Sequence, residues 1–115
     1  MARKSIGEIT FAQVYPMYVQ KVERKGRTRA ELDEVIEWLT GFDGAAMQDQ
    51  IDRATTFATF FDEATLNPDA DKITGVICGY RVEEIEDPIT RQVRLLDKIV
   101  DELARGKALE KIKRG

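Results

Sequence analysis

The chain has 115 residues, of which 43% are apolar and 34% charged, and this composition indicates one soluble globular domain and excludes a disordered chain. It contains no histidine, which excludes Ser–His and Cys–His nucleophile pairs and most transition-metal sites. The net charge of −3 conceals a segregation, because residues 1–30 carry +5, residues 31–87 carry −12 and residues 88–115 carry +4.

Three features of the sequence bear on the cellular compartment of the protein. The one cysteine, Cys78, excludes an internal disulfide and favours a reducing cytosol. No apolar run approaches the ~18 residues of a membrane span. The basic N-terminus has no apolar stretch behind it, so it does not match a secretory signal. We therefore expect a cytoplasmic protein.

The first predicted helix is marked by a cap, a proline and a glycine. Thr10 is expected to cap a short turn, and Pro16 is expected to open the main helix at its first position. The helix should end near Gly26. Its apolar stripe is Tyr15, Tyr18, Val19 and Val22.

The second helix has the clearest start signal in the chain. Thr28 and Glu31 have the spacing of a capping box, in which each side chain binds a free backbone N–H. Gly41 supplies the stop, and Trp38 lies at the margin of the buried face. The residues that recur at helical spacing are Leu32, Val35, Ile36 and Leu39.

Two shorter helices follow. In the first, we expect three side chains to point inward: Met47, Ile51 and Ala54. Thr56 is expected to cap the second, whose aromatic face anchors the core. That face consists of Phe57, Phe60 and Phe61, together with Ala64.

The next segment favours a helix over residues 68–86. Asn67-Pro68 and Asp87-Pro88 are cap-then-proline pairs that predict helix starts. The stripe of the 68–86 helix would be Ile73, Val76, Ile77, Tyr80 and Glu84. The alternative is a strand over residues 73–78, which are β-branched, but two glycines and the lack of a second strand count against it.

The last long helix begins at Pro88. Gly106 interrupts it, and residues 108–112 are expected to add a terminal turn. Its stripe is Ile89, Val93, Leu96, Val100 and Leu103, with Leu95 and Ile99 beside it.

Residues 75–88 form the densest polar cluster, with two glycines, the cysteine, a tyrosine, an arginine and four carboxylates. This density makes the segment a candidate ligand or partner surface. The candidate residues are Tyr80, Arg81, Glu83, Glu84 and Asp87.

A structural interpretation of the same segment competes with this one. On a helix, Gly75 and Gly79 would share a face and permit close helix packing, and Cys78 would be a small buried apolar residue. The glycines lack the following Lys-Ser/Thr of a phosphate loop.

The charged side chains of the segment would also pair along such a helix. Arg81 would pair with Glu84, while Glu83 and Asp87 would repel each other. The basic last helix, through Arg91 and Arg94, would neutralise that pair, with a divalent cation as the functional rival. We predict no metal site and no cofactor.

A basic segment at the first helix junction is a second candidate. It could contact phosphate groups or RNA, although the acidic helix that follows disfavours sequence-specific DNA binding. Its residues are Lys21, Arg24, Lys25, Arg27 and Arg29.

Several longer blocks resemble a bacterial family of small uncharacterised proteins, domain-of-unknown-function family 2200. These blocks are residues 14–18, 23–28, 38–41, 75–79, 81–88 and 96–104. The resemblance implies a bacterial cytoplasmic protein and implies no activity or active-site residue.

We therefore expect an all-α single domain of five or six helices over residues 1–115, with residues 1–9 and 107–115 as ends that fray. The second helix, the 68–86 helix and the Pro88 helix should supply most of the core.

For function, we expect a non-enzymatic binding or interaction module with a protein or small-molecule partner. The alternatives are a phosphate- or RNA-contacting protein and a small-molecule enzyme that uses Tyr80, Arg81 and carboxylates. A C₂ homodimer fits a small helical domain.

Overall fold

The chain folds into helices that begin at side-chain caps and surround one long central helix. The structure, a computed structural model, describes residues 6–114, so residues 1–5 and 115 of the expected frayed ends lie outside the described residues. The α-helices of this range are α1 (Phe11–Arg24), α2 (Arg29–Thr40), α3 (Gly44–Asp52), α4 (Phe57–Glu63), α5 (Pro88–Ala104) and α6 (Leu109–Ile112). The prediction of a single all-α domain with five or six helices is confirmed.

Short elements complete the fold. Three 3₁₀ turns cover Ile6–Glu8, Pro68–Lys72 and Val82–Glu84. Two antiparallel strands, β1 (Val76–Ile77) and β2 (Tyr80–Arg81), form a small hairpin.

Helix α1 begins earlier than the sequence predicted. Thr10 and Gln13 form a capping box, and this starts the helix at Phe11 rather than at Pro16. Pro16 therefore lies inside α1, where it cannot donate an N–H to the carbonyl of Ala12. The burial of Phe11 and Tyr15 in this first part of the helix offsets that loss.

Helix α2 matches its prediction. The reciprocal Thr28–Glu31 capping box is present, and Gly41 ends the helix in the left-handed conformation with φ of 78°. All four residues of the predicted stripe are fully buried. Local signals were enough to predict this helix, because the capping box, the apolar stripe and the glycine at the end all indicate the same helix.

An aromatic cluster joins α1 to α4. The rings of Phe11 and Phe60 stack with their centroids 4.5 Å apart, and Phe57 meets Phe60 edge-on at 5.9 Å. The backbones of the two helix starts also bind each other. Phe11 donates to the carbonyl of Thr55 at 3.2 Å, and Phe57 donates to the carbonyl of Ile9 at 2.8 Å.

Helix α3 follows its predicted orientation only in part. Met47 is buried and Ile51 is half-buried. Ala54 was expected to point inward, but it follows the end of α3, is exposed and adopts a φ of 50°.

Helix α5 crosses the centre of the molecule and packs against α1, α2 and α4. Leu96 and Val100 of the predicted stripe are fully buried, and so is Ile99 beside it. After Gly106 the chain turns into α6, whose Ile112 returns to the core. Each helix of the described residues is too short or too polar to cross a bilayer.

The predicted helix over residues 68–86 is wrong. Pro68 opens only a 3₁₀ turn, which ends at Lys72, and the hairpin and a second 3₁₀ turn replace the rest. Residues 68–86 still contribute the buried side chains of Ile73, Ile77 and Val82. The share of the core expected from a helix here comes instead from α1 and α4.

Candidate functional site

A tight turn shapes the segment that the sequence analysis singled out. Ile77 pairs with Tyr80, which leaves Cys78 and Gly79 as a two-residue loop. Both adopt positive φ, 53° for Cys78 and 84° for Gly79. Positive φ at both central positions defines a type I′ turn, the form that matches the twist of paired strands.

The hairpin is fastened to helix α5. The side chains of Ile77, in β1, and of Val82, directly after β2, are buried in the core. The Lys98 Nζ atom, on α5, donates to the carbonyl of Val76 at 3.2 Å. These contacts hold the two strands along one side of α5 and leave their outer face exposed.

An open cleft of about 690 Å³ lies between this hairpin and the N-terminal half of α5. Its apolar lining comes from Val76, Tyr80 and Ile85. The polar lining comes from Arg81, Glu84, Thr90 and Arg94. We call this feature the hairpin cleft.

Three of the five candidate surface residues line the hairpin cleft. Tyr80 is 63% exposed, and Arg81 and Glu84 are also exposed. The expected Arg81–Glu84 pair is absent among the described residues. Arg81 instead lies 3.4 Å from a carboxylate oxygen of Glu83. Its guanidinium is therefore only loosely held beside the cleft.

Glu83 closes the base of the hairpin. Its carboxylate accepts a hydrogen bond from the backbone N–H of Gly75 at 3.0 Å. Backbone hydrogen bonds, first its own N–H and then that of Gly75, hold the pKa of Glu83 below its usual range, and Arg81 lowers it further.

Asp87 caps helix α5. It accepts hydrogen bonds from the hydroxyl and the backbone N–H of Thr90 at 2.7 and 2.9 Å, and these lower its pKa. The expected repulsion between Glu83 and Asp87 on one helix face does not arise, because the two residues lie on separate elements.

The structural interpretation of the glycines and the cysteine is also wrong. Gly75 and Gly79 serve turns with φ of 111° and 84°, not a helix–helix contact. Cys78 is exposed rather than buried, with its Sγ atom 3.4 Å from Nη1 of Arg94. The sequence signal for the turn was Gly79, which lies between the β-branched pair Val76-Ile77 and Tyr80, a residue type that favours strands.

Arg94 was expected only as a neutralising partner, but it lines the cleft. Its Nη1 atom donates to Asp97 at 2.9 Å, and Asp97 in turn accepts a hydrogen bond from the Tyr18 hydroxyl. Burial and the nearby Asp97 carboxylate raise the pKa of Tyr18 well above its usual value. Arg91 turns away and pairs with Asp71 at 3.3 Å.

A second groove, of about 470 Å³, lies on the other side of Arg94. Its lining is mostly apolar and includes Ile6, Val14 and Met17, the last 63% exposed. Arg94 therefore separates two concave surfaces along α5.

The basic segment does not converge on one site. Lys21 pairs with Asp101 at 3.2 Å, and Arg27 pairs with Glu31 at 2.9 Å. Arg29 lies over the Tyr15 ring, 5.4 Å from its centroid. Two residues of the segment are exposed without an ion pair to another described residue: Arg24 and Lys25.

Two of the cations near these residues share one carboxylate, because Lys21 and Arg105 both pair with Asp101, at 3.2 and 2.8 Å. A concave patch there is lined by Lys21, Lys25 and Arg105 together with the carboxylate of Asp101. Helices α1 and α5 both end at this patch, and helix C-termini carry partial negative charge.

Within residues 6–114, no three or more carboxylate or thiol side chains gather as a metal site would require. Two carboxylates near the hairpin, those of Glu83 and Asp87, are instead engaged by backbone N–H groups and by the Thr90 hydroxyl. The groups that line the hairpin cleft are therefore two guanidinium groups, a phenol, one carboxylate and apolar side chains.

Comparisons with known proteins agree with this architecture. A crystal structure of uncharacterized protein SP1917 is similar to this chain, with a TM-score of 0.86 and 39% sequence identity over 96% of this chain and 93% of that one. No curated protein matches the sequence. The model of the family described as "Uncharacterized protein conserved in bacteria (DUF2200)" matches residues 5–114. The chain therefore belongs to this bacterial family, DUF2200.

Proposed function

We propose that this protein is a cytoplasmic, non-enzymatic binding module whose hairpin cleft receives a partner. One observation carries the proposal: Tyr80 and Arg81 stand exposed on the hairpin beside Arg94, around a cleft of about 690 Å³. Tyrosine and arginine are the residue types enriched in the energetic centres of interfaces. The exposed thiol of Cys78 fits a reducing compartment.

Binding is favoured over catalysis by the way the cleft side chains are paired. The Tyr80 hydroxyl makes no hydrogen bond to another residue of the described range. In sites that activate a hydroxyl as a nucleophile, that hydroxyl is commonly hydrogen-bonded to a second side chain that acts as its base. Glu83, the carboxylate nearest Arg81, is instead bound by the hairpin backbone. The cleft residues thus present contact groups, with no acid and base joined to each other.

The proposal predicts where ligands bind. Fragments from a chemically mixed library, titrated into ¹⁵N-labelled protein, should shift the amide signals of residues 76–85 and 90–94. Hits that cluster in the groove beside Met17, or that scatter over the surface, would contradict the proposal.

Tyr80 and Met17 provide a matched pair of variants, because both are 63% exposed. Tyr80→Ala should weaken the binding of these fragments about tenfold, the loss expected of an interface centre. Met17→Ala should leave it unchanged. Both variants should keep the stability of the parent within about 0.5 kcal/mol, as is usual for exposed positions.

A further inference from the structure

We infer that Tyr18 and Asp97 are positioning residues of the hairpin cleft, because together they fix the guanidinium group of Arg94 in its wall. This inference rests on the proposed function and adds two residues that do not themselves line the cleft. It follows from a row of hydrogen bonds that joins helix α1 to the turn of the hairpin.

The row begins at a buried donor on α1. Tyr18 is 7% exposed, and its hydroxyl donates to one carboxylate oxygen of Asp97, on α5. Because burial and the Asp97 charge raise the pKa of Tyr18 well above its usual value, the phenol keeps its proton at neutral pH. A ring packed in the core has little freedom to move. The carboxylate of Asp97 is therefore held by a fixed group of another helix.

Asp97 in turn holds Arg94. The second carboxylate oxygen accepts a hydrogen bond from Nη1 of Arg94 at 2.9 Å. The same Nη1 atom lies 3.4 Å from Sγ of Cys78, in the turn of the hairpin. The side chains of Arg94 and Asp97 are only 27% and 19% exposed, so solvent and salt screen this ion pair less than an exposed one.

Arg91, one turn earlier on α5, lacks such support. Its partner is Asp71, whose side chain is 85% exposed, and the two groups are 3.3 Å apart. Exposed pairs of this kind contribute little, because holding two mobile side chains together costs conformational entropy. The buried Tyr18 hydroxyl behind Asp97 distinguishes the Arg94 pair from this one.

A fixed Arg94 offers the cleft hydrogen-bond donors in a set direction. Within residues 6–114 the guanidinium group uses only Nη1 for hydrogen bonds, so three of its five N–H groups remain for a ligand. Asp97 offsets its charge, so Arg94 acts by directional hydrogen bonding rather than by attracting an anion. A donor that is ordered before the ligand arrives loses less entropy on binding.

The test removes the Tyr18 hydroxyl and observes Arg94 directly. In ¹⁵N-labelled protein, the Nε–Hε signal of Arg94 is assigned by its loss in Arg94→Lys. Its relaxation should give an order parameter of about 0.85 in the parent, typical of a rigid group, and below about 0.6 in Tyr18→Phe. Asp97→Asn should loosen Arg94 as well, because only one of the two oxygens that bind Tyr18 and Arg94 remains an acceptor.

The second readout is binding at the cleft. The probes are those fragments of the mixed library that shift the amide signals of residues 76–85 and 90–94 in the parent. They should bind about threefold more weakly to Tyr18→Phe, although this substitution lies outside the cleft.

The matched control is Tyr15→Phe, which removes the same hydroxyl from the same helix. Tyr15 is 5% exposed and donates to Asp33, so it is also a buried phenol paired with a carboxylate. The arginine that it binds is Arg29 rather than Arg94. Arg94 relaxation and fragment binding should stay as in the parent. Loosening of Arg94 in both variants would indicate general destabilisation and would overturn the inference.

The two readouts also separate this inference from the proposed function. If Arg94 is equally rigid in the parent and in Tyr18→Phe, or if it loosens while fragment binding is unchanged, the inference fails and the proposed function stands. If no fragment binds the cleft of the parent, the proposed function fails and the inference fails with it.

Discussion

The substitution Cys78→Asn tests the turn on which the cleft depends. Cys78 has a φ of 53° and Gly79 a φ of 84°, so both positions of the loop are left-handed. A residue with a Cβ atom pays about 1–2 kcal/mol for this conformation. Asparagine tolerates it best among side-chain-bearing residues and is preferred at the first position of type I′ turns.

We expect Cys78→Asn to raise the free energy of unfolding by about 0.5–1 kcal/mol, roughly half of the strain. Removing the thiol should cost little stability, because it is exposed and its contact with Arg94, at 3.4 Å, is weak. The gain corresponds to about 2–8 °C in Tm for a domain of this size.

The assay is urea unfolding followed by far-UV circular dichroism and by the fluorescence of the single tryptophan, Trp38. Cys78→Val is the matched control and should destabilise by about 1 kcal/mol or more, because a β-branched residue disfavours positive φ. If Cys78→Ala stabilises the protein while Cys78→Asn destabilises it, residues 75–79 are helical and the reasoning is refuted.

Three further predictions concern a cap, a buried phenol and a strained alanine. Asp87→Ala should cost about 1 kcal/mol, whereas Asp87→Asn should keep the cap at neutral pH. Because its pKa is lowered, the charged Asp87 stabilises the fold above about pH 4, and Asp87→Asn should lose less stability than the parent on acidification, measured by urea unfolding.

Burial and the hydrogen bond to Asp33 raise the pKa of Tyr15 to about 12, so the advantage of the parent over Tyr15→Phe should be full below pH 10 and decline towards pH 12. An advantage that grows with pH would contradict this assignment. Ala54→Gly should stabilise by about 0.5–1 kcal/mol in thermal unfolding, because Ala54 is exposed with a φ of 50°. A loss of stability there would show that the position is unstrained.

Local signals predicted most of the fold. At α2 the capping box of Thr28, the apolar stripe and the stop at Gly41 all lie within one helix, so no distant contact was needed to place it. The same holds for Asp87 and Pro88 at the start of α5. At α1 the sequence prediction placed the start of the main helix at Pro16, although Thr10 and Gln13 form a complete capping box that starts it at Phe11.

The hairpin was missed because its signals are spread between two competing patterns. Val76, Ile77 and Tyr80 fit a helical stripe as well as a pair of short strands. Cysteine is an unusual residue at a left-handed turn position, so Cys78-Gly79 lacked the Asn-Gly signature that marks a type I′ turn. The pairing of Val76 with Arg81 distinguishes a hairpin from a helix, and the spacing of apolar residues does not predict it.

The candidate surface was also predicted only in part. The density of polar residues led to Tyr80, Arg81 and Glu84, which line the cleft. It could not separate them from Glu83 and Asp87, whose roles depend on backbone N–H groups brought near by folding. Arg94 and Thr90 belong to another element, and only the packing of the hairpin on α5 brings them to the same cleft.

The central claim is that residues 75–82 form a hairpin over α5 and thereby build the cleft. Val82 donates to the carbonyl of Gly75 at 3.0 Å, so the neighbouring pair Val76 and Arg81 is a non-hydrogen-bonded pair, with its Cα atoms about 4.5 Å apart. A nuclear Overhauser measurement should show a strong cross-peak between the Hα protons of these two residues. Strong sequential amide–amide cross-peaks through residues 75–82 without that Hα contact would indicate a helix and contradict the account.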